Sequence, residues 1–377
     1  MPEIRLGRRK TPRRAEEFAD GRLKVLSPKG VRRTECALLE ALPRGKGGLA
    51  VVVNSTEALA GLALRALNPA AAVHCHFDDA WDFEAAQAAA RRHPRLAPEL
   101  GLAPDPPDGP WDLAVLPTEA AGETELLRER LDWAAEHLRP GGLLVASTDN
   151  RRDRALRQEI LGRLGAATEV PGPTRSSGVA YIAPRPRDLK LRKRDRERTF
   201  TVREGERVLR FVSRPGVFCH GKLDDGTRAL LATVEMGQAQ RVLDLGCGVG
   251  VLGAVAAIRC PQARVTLVDS SARAIHCAQR SLAALGLADR CTTVLTAHAA
   301  RDLEPGFDLV LSNPPYYGNY RISERFLDAA ARVLVPGGSL ALVTKGVEWH
   351  RQAMEQRFEA VEVQERGGYA VLTARAA

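Results

Sequence analysis

The second half of the chain alternates between two patterns of apolar and polar positions. Short apolar runs such as "RVLDL", "RVTLVD", "FDLVLS" and "SLALVT" have the length and Val/Leu content of buried strands. Between them lie segments with helical spacing of apolar residues, such as "ISERFLDAAARVL". This alternation predicts an α/β fold with a parallel, doubly wound sheet. The last segment, "FEAVEVQERGGYAVLTAR", predicts two strands that form an edge hairpin around Gly367 and Gly368.

The first half repeats this pattern with matched spacing. "WDLAVLPTEA" corresponds to "FDLVLSNPPY", and "LRPGGLLVASTDN" corresponds to "LVPGGSLALVTKG". The equal separations are 28 positions, from Asp112 to Pro140 and from Asp308 to Pro336, and 25 positions, from Val53 to Asp78 and from Asp244 to Asp269. We therefore interpret the chain as two copies of one fold. The first copy has no glycine in its first turn and "LPTEA" in place of "SNPPY", so we interpret it as degenerate.

Length and charge divide the chain further. A chain of 377 residues is about twice the usual domain size. Residues 1–33 contain eleven basic and four acidic residues, and residues 185–198 contain eight and three. The predicted segments are a basic tail (1–35), a degenerate domain (36–183), a basic linker (184–200) and a second domain (201–377). The two basic segments indicate a polyanionic partner, although a solvated arm and linker would have the same composition.

Composition also limits the compartment and the metal chemistry. No window approaches 18 uncharged apolar residues and the N-terminus lacks a signal-peptide pattern, so we expect a cytoplasmic protein without membrane contact. The seven cysteines are scattered and never in C-x-x-C spacing, which predicts small core residues rather than disulfides or zinc ligands. His74 and His76 have no third ligand nearby in sequence, so we expect a structural role and no metal.

The stretch "DLGCGVG" is the first candidate site. Glycines at 246, 248 and 250 allow a tight turn and close approach of a ligand to the backbone and the next helix. With Asp244 in the strand itself, the turn suits the ammonium and carboxylate of an amino acid better than a pyrophosphate. Asp269, at the end of the next strand, can accept hydrogen bonds from both ribose hydroxyls. The alternative is a tight strand–helix connection without a ligand.

The stretch "SNPPYY" is the second candidate site. Asn313 follows a strand at the carboxyl edge of the sheet, and its side-chain oxygen can accept a hydrogen bond from an exocyclic amine. Pro314 restricts Asn313 to an extended conformation, so the carbonyl of Asn313 can serve as a second acceptor. Tyr316 offers a flat face on which a planar base or amide can stack. The alternative is a Pro-Pro turn with surface tyrosines.

These motifs resemble motifs I and II of the class I S-adenosylmethionine-dependent methyltransferases. The resemblance implies two tandem Rossmann-like domains with seven-stranded, mostly parallel sheets, the second of them catalytic. It also implies S-adenosylmethionine as cofactor, with its methionine part at Gly246–Gly250 and Asp244, its ribose on Asp269 and its adenine beside Ser270 and His298. His298 would otherwise be a surface loop histidine.

The pattern [DN]-P-P-[YF] is similar to that of methyltransferases that act on planar nitrogens. Together with "RPGVFCHGKLDDGTRALLATV" and "VPGGSLALV", it resembles the two-domain ribosomal RNA guanine-N2 methyltransferases. This resemblance implies a monomer that acts on ribosomal RNA or a ribosomal subunit, most simply the 16S RNA, with Phe218 and Thr227 lining the cofactor side. Tyr316 and Tyr317 replace the family's usual Phe-His, which leaves the target base open. The alternatives are a glutamine-N5 methyltransferase acting on a translation factor and a non-catalytic RNA-binding assembly factor.

Overall fold

The computed structural model describes residues 1–7, 14–45, 47–190, 194–315 and 320–377. The chain divides into two compact units, residues 1–196 and residues 197–377. Within the described residues, every helix is too short or too polar to cross a membrane.

The first unit has ten described strands, five α-helices and one short 3₁₀ helix (Thr56–Ala58). The strands are β1 (Glu3–Arg5), β2 (Arg14–Phe18), β3 (Leu23–Ser27), β4 (Gly48–Val53), β5 (Ala71–Phe77), β6 (Glu99–Leu102), β7 (Trp111–Pro117), β8 (Leu138–Thr148), β9 (Thr168–Pro171) and β10 (Val179–Pro184). The helices are α1 (Arg33–Ala41), α2 (Leu59–Leu67), α3 (Ala80–Arg92), α4 (Thr124–His137) and α5 (Ala155–Leu164).

Seven of these strands form one sheet in the order β6-β5-β4-β7-β8-β10-β9, and β1, β3 and β2 form a second, smaller sheet. The smaller sheet corrects the prediction of a basic tail over residues 1–35. Leu23 and Val25 occupy alternate positions of β3 and are fully buried. Ile4 and Phe18 are also buried, with exposures of 0% and 1%. The density of arginines in this segment hid a period-2 apolar pattern that is sufficient to bury one face of a sheet.

The second unit has nine described strands and five helices. The strands are β11 (Arg198–Glu204), β12 (Arg207–Ser213), β13 (Arg241–Leu245), β14 (Arg264–Asp269), β15 (Cys291–Leu295), β16 (Phe307–Ser312), β17 (Leu334–Thr344), β18 (Glu359–Arg366) and β19 (Tyr369–Arg375). The helices are α6 (Asp225–Thr233), α7 (Val251–Arg259), α8 (Ala272–Ala284), α9 (Arg321–Val333) and α10 (Val347–Glu355).

The main sheet of the second unit has the order β15-β14-β13-β16-β17-β19-β18, and only β19 runs against its neighbours. Apolar residues of α6, α7 and α8 pack on one face, and those of α9 and α10 pack on the other. Burial on both faces explains the nearly continuous apolar runs of the central strands. The β18–β19 hairpin turns at Gly367 and Gly368, both at positive φ, and confirms the predicted edge hairpin.

The two large sheets have the same strand order and the same single antiparallel strand in the same place. The long strands β8 and β17 each contain eleven residues around a Pro-Gly-Gly sequence. This equivalence confirms the interpretation of two tandem copies of one α/β fold, each with a seven-stranded, mostly parallel sheet.

Candidate functional site

The candidate site lies at the carboxyl edge of the second unit's sheet, where strand order reverses. β13 lies between β14 and β16. The connection after β13 therefore runs to one side of the sheet, and the connection after β16 runs to the other side. Parallel α/β sheets bind ligands at such a switch point. Ser312, the last residue of β16, donates its hydroxyl to the carbonyl of Leu245 at 2.8 Å and holds the two strand ends together.

The glycine turn after β13 is closed by backbone hydrogen bonds. Gly246, Gly248 and Gly250 have φ values of 77°, 55° and 85°, a region that residues with a side chain rarely adopt. The amides of Gly246 and Cys247 both donate to the carbonyl of Val268, each at 2.9 Å. The turn therefore lies against the end of β14 and leads directly into α7.

Asp269 connects the glycine turn to the next helix. Its Oδ2 accepts a hydrogen bond from the amide of Gly248 at 2.9 Å, and its Oδ1 accepts one from the amide of Ser271 at 2.8 Å. These two hydrogen bonds fix the orientation of the carboxylate at the end of β14. Asp269 is half-buried at the strand end, in the position that the sequence predicts for a ribose-binding carboxylate.

Asp244 is fully buried in β13. Its Oδ2 accepts a hydrogen bond from the amide of Gly253 in α7 at 2.7 Å, whereas its Oδ1 has no hydrogen-bond partner among the described residues. Burial raises the pKa of this carboxyl to about 7; the charge of Asp269 adds to the rise and the Gly253 amide opposes it. A buried carboxylate with an unpartnered oxygen fits a cationic or hydrogen-bond-donating ligand group.

Two side chains distant in sequence hold the Asn313 amide. Its Nδ2 donates to Oδ2 of Asp224 at 2.7 Å and to Oγ1 of Thr227 at 3.0 Å. Asp224 is the N-cap of α6 and also accepts from the amide of Thr227 at 2.8 Å. Because an ionised carboxylate only accepts, Asp224 fixes which end of the Asn313 amide faces α6, and the side-chain oxygen Oδ1 points the other way.

The other predicted site residues occupy varied positions. Pro314 is buried, Ser270 is half-buried beside Asp269, and Phe218 is 59% exposed. His298 is exposed on a loop whose Thr296 amide donates to the Asp269 carbonyl at 3.1 Å, so this loop begins at the same sheet edge. Tyr316 and Tyr317 lie outside the described residues.

A set of aromatic residues at this edge was missed by sequence reasoning. Tyr320 precedes α9 and stacks on Trp349 of α10, with ring centroids 4.4 Å apart and planes 10° apart. His350 lies beside both rings at nearly right angles to them. The only signal in the sequence was the concentration of tyrosines behind Asn313, which gave no partner for Tyr320.

The family model described as the methyltransferase small domain matches residues 208–373. A ribosomal RNA small subunit methyltransferase C of Hahella chejuensis is 32% identical over 244 residues, which cover 63% of this chain and 69% of the relative. The chain belongs to the ribosomal RNA small subunit methyltransferase C family. A Pseudomonas aeruginosa member is 37% identical over 172 residues, 44% of this chain, and the chain spans about half (51%) of that relative.

A solved structure supports the fold assignment for this family. The Thermus thermophilus 16S rRNA N2 G1207 methyltransferase, solved with AdoMet and guanosine, covers 91% of both chains with a TM-score of 0.75 at 23% identity. At that identity the likeness shows the fold. It agrees with the two tandem α/β units described above.

The first unit of this family member has the same topology, but its polar residues at the sheet edge bind one another. Asn54 and Asp78 exchange hydrogen bonds of 2.7 and 3.2 Å, and Arg130 pairs with the other oxygen of Asp78 at 2.7 Å. Glu35, fully buried, accepts from the Ser55 hydroxyl and the Thr56 amide at 3.0 and 2.8 Å. Side chains of the unit therefore occupy the region where the second unit leaves a glycine turn.

The basic segments are partly engaged within the protein. Arg196, in the predicted linker, is 8% exposed and pairs with Asp132. Among the described residues, no group of three or more His, Cys, Asp or Glu side chains is arranged to hold a metal ion. The seven cysteines are all unpaired and mostly buried, and burial raises the pKa of the Cys247 thiol well above its usual value.

Proposed function

We propose that this protein transfers a methyl group from S-adenosylmethionine to the exocyclic N2 amine of a guanine in small-subunit ribosomal RNA. The observation that carries the proposal is the fixed amide of Asn313. Because Asp224 and Thr227 hold its nitrogen, its Oδ1 is preset as an acceptor at the carboxyl edge of the sheet. The similarity to small-subunit ribosomal RNA methyltransferases, and to a Thermus thermophilus enzyme solved with AdoMet and guanosine, supports the same substrate and cofactor.

The second unit's residues fit the cofactor. Asp244 has an unpartnered buried oxygen that suits a donor group of the methionine part, and the turn from Gly246 to Gly250 brings backbone close to it. Asp269 ends its strand at the sheet edge, where an acidic residue can accept hydrogen bonds from the ribose hydroxyls, with Ser270 and His298 on the adenine side. S-adenosylmethionine, when bound, supplies a methyl group made electrophilic by its sulfonium. We place Phe218 and Thr227 at the border of this pocket.

The chain's own contribution is alignment of the amine. Oδ1 and the carbonyl of Asn313 accept the two N–H groups of the guanine amine, so the nitrogen lone pair faces away from both acceptors. With the cofactor bound, its sulfonium would supply the methyl group to this oriented nitrogen and leave as the neutral thioether, and the amine would lose one proton to water. No strong base is required, because the barrier is lowered by orientation and short approach. Pro314 keeps the Asn313 backbone extended, and Tyr316 provides a stacking face for a guanine turned out of the RNA.

We further propose that the protein acts as a monomer in the cytoplasm without a metal ion. The unpaired cysteines support a reducing compartment, and a reaction that relies on an already activated methyl group does not require a Lewis acid.

The test is to incubate the purified protein and methyl-labelled cofactor with small-subunit particles, naked 16S RNA, naked 23S RNA and a translation-factor extract. Label in small-subunit RNA supports the proposal. Label confined to protein would favour the glutamine methyltransferase instead, and cofactor binding without any transfer would favour a non-catalytic assembly factor.

A further inference from the structure

The stacked pair Tyr320 and Trp349 stands beside Asn313 at the same sheet edge. Asn313 directly follows β16 and Trp349 lies in the first turn of α10 after β17; these strands are parallel neighbours, with Ser312 opposite Leu342. Neighbouring strands are about 4.8 Å apart, and Thr344 ends β17 only two residues beyond that register. Trp349 therefore follows β17, the strand next to β16, and Asn313 follows β16.

Tyr320 is 38% exposed. Trp349 covers one face of its ring at a centroid distance of 4.4 Å. His350 is 5.6 Å from Tyr320 but also 4.9 Å from Trp349, so it lies at the flank of the stack. A ring stacked on the opposite face of Tyr320 would lie roughly twice the stacking distance from Trp349. His350 is much closer to Trp349 than that, so it does not occupy the opposite face. Among the described residues, the printed ring contacts of Tyr320 are therefore with Trp349 on one face and with His350 at the flank.

Hydrogen bonds of His350 fix the position of the ring that flanks the Tyr320–Trp349 stack. The buried imidazole of His350 has its Nδ1 2.8 Å from the carbonyl of Gly346 and its Nε2 3.1 Å from the hydroxyl of Ser323. Burial lowers the pKa of His350, and the hydrogen bond with the Gly346 carbonyl opposes this shift. Gly346 fits closely against Tyr320, because a Cβ added there would lie 2.9 Å from the tyrosine hydroxyl oxygen.

Tyr320 also adopts a costly backbone conformation. Its φ is 61°, in the left-handed region that bulky residues rarely enter. Residues held in such conformations cluster at ligand-binding sites, where the surrounding structure fixes them. Lys345 is exposed between β17 and Gly346, with its Nζ 4.7 Å from the ring of Tyr369, and places a positive charge at the same edge.

We propose that the face of Tyr320 opposite Trp349 stacks on the nucleobase that neighbours the methylated guanine in the RNA, with Lys345 close to the backbone phosphate. This inference rests on the proposed function and names a substrate-positioning residue within it. A planar, preformed ring and an adjacent cation are the features that bind unpaired nucleotides without selecting a base. The proposed function assigns Tyr316 to the target guanine, and this inference assigns Tyr320 to a different, neighbouring base.

The test compares Tyr320→Leu with Tyr320→Phe, which retains the ring, in steady-state methyl transfer to small-subunit RNA. For Tyr320→Leu we expect the KM for RNA to rise roughly tenfold, with kcat, cofactor affinity and melting temperature close to those of Tyr320→Phe. An unchanged KM, or a fall in kcat alone, would overturn the inference.

A second arm keeps the wild-type protein and changes the RNA. Once the methylated guanine is mapped, each flanking nucleotide is made abasic in turn. One of these substrates should raise the KM of the wild-type protein but leave that of Tyr320→Leu unchanged, and equal effects on both proteins would contradict the stacking. If the wild-type protein transfers no methyl group to any RNA, the proposed function itself fails, which is a different result from an unaltered KM.

Discussion

The side-chain nitrogen of Asn313 lies 2.7 Å from Oδ2 of Asp224, a residue 89 positions earlier in the chain. The same carboxylate caps α6 through the amide of Thr227. Asp224 therefore has two roles. It caps the N-terminus of α6, and it orients the Asn313 amide that we propose binds the guanine amine.

Replacement of that carboxylate should impair catalysis more than cofactor binding. In Asp224→Asn the new amide can also donate, so Asn313 is no longer held in one orientation. A hydrogen bond to a charged group contributes about 1.5–3 kcal/mol, so we expect kcat to fall by roughly 10–100-fold. Calorimetry should show the cofactor Kd within about twofold of the wild-type value.

Two variants separate this effect from helix capping and from charge. Asp224→Ser retains an N-cap residue but removes the carboxylate, and should lose activity as Asp224→Asn does. Asp225→Asn changes the exposed acid next in sequence and should remain fully active. A large loss of activity in Asp225→Asn, or none in Asp224→Asn, would be inconsistent with the orienting role.

The glycine turn should tolerate a methyl group poorly at Gly246. Gly246 has a φ of +77°, and an added Cβ would lie 2.9 Å from Cε2 of Phe326. Gly286 is a matched control, with a φ of +69° and no atom within 4 Å of an added Cβ. Gly286→Ala should cost about 1–2 kcal/mol of the free energy of unfolding, whereas Gly246→Ala should cost more and also weaken cofactor binding.

The double variant Gly246→Ala, Phe326→Leu should regain part of the stability lost in Gly246→Ala, because leucine lacks the ring atoms that crowd the added Cβ. Equal unfolding free energies for Gly246→Ala and Gly286→Ala by chemical denaturation would show that the Phe326 contact is unimportant.

Cofactor affinity should depend on pH through Asp244. Its pKa is raised to about 7 in the free protein, so the carboxyl is mostly protonated at pH 6 and mostly ionised at pH 8. A positively charged cofactor favours the ionised form, and binding below pH 7 must therefore displace a proton. We expect the Kd to be about tenfold lower at pH 8 than at pH 6.

Asp244→Asn removes this titration and should make the Kd nearly independent of pH over that range. The contribution of Asp244 to folding stability changes with pH in the opposite direction, because it decreases as the pH rises. Because the folded pKa is raised, the contribution of the protonated carboxyl to stability is complete below about pH 4 and is lost as the pH rises towards 7. A Kd that rises with pH would contradict this assignment.

Only one cofactor should bind per chain. In the first unit the Asp78 carboxylate binds the side chains of Asn54 and Arg130, whereas the Asp269 carboxylate in the second unit accepts from the backbone amides of Gly248 and Ser271. Titration calorimetry should give one site, which Asp269→Ala weakens by roughly 100-fold and Asp78→Ala leaves unchanged. Two sites in the wild-type protein would refute the view that the first unit is a degenerate copy.

The topology could be predicted from sequence because spacing and apolar periodicity are local and repeated. Equal distances between paired motifs were enough to indicate two copies, and the glycines and Asp269 follow from the geometry of a strand–turn–helix. The role of Asp224 could not be predicted, since it depends on a side-chain contact between distant segments. The Tyr320–Trp349 stack is of the same kind, formed only when α9 and α10 begin at one sheet edge.

The small sheet at the N-terminus was missed for a different reason. Leu23 and Val25 have a strand-like alternation, but eleven basic residues in the first 33 favoured the interpretation as an arm. Charge reports on the exposed face of a strand, and burial of the other face needs only two or three apolar residues.

The most direct test of the central claim is the chemical identity of the product. Small-subunit RNA is methylated by the wild-type protein and by Asn313→Ala, digested to nucleosides and analysed by mass spectrometry against methylguanosine standards. We expect N2-methylguanosine from the wild-type protein and none from Asn313→Ala, with similar cofactor Kd values for both. Methylation at a ring nitrogen, at a ribose hydroxyl or on protein, or full activity of Asn313→Ala, would contradict the proposal that Asn313 aligns the guanine amine.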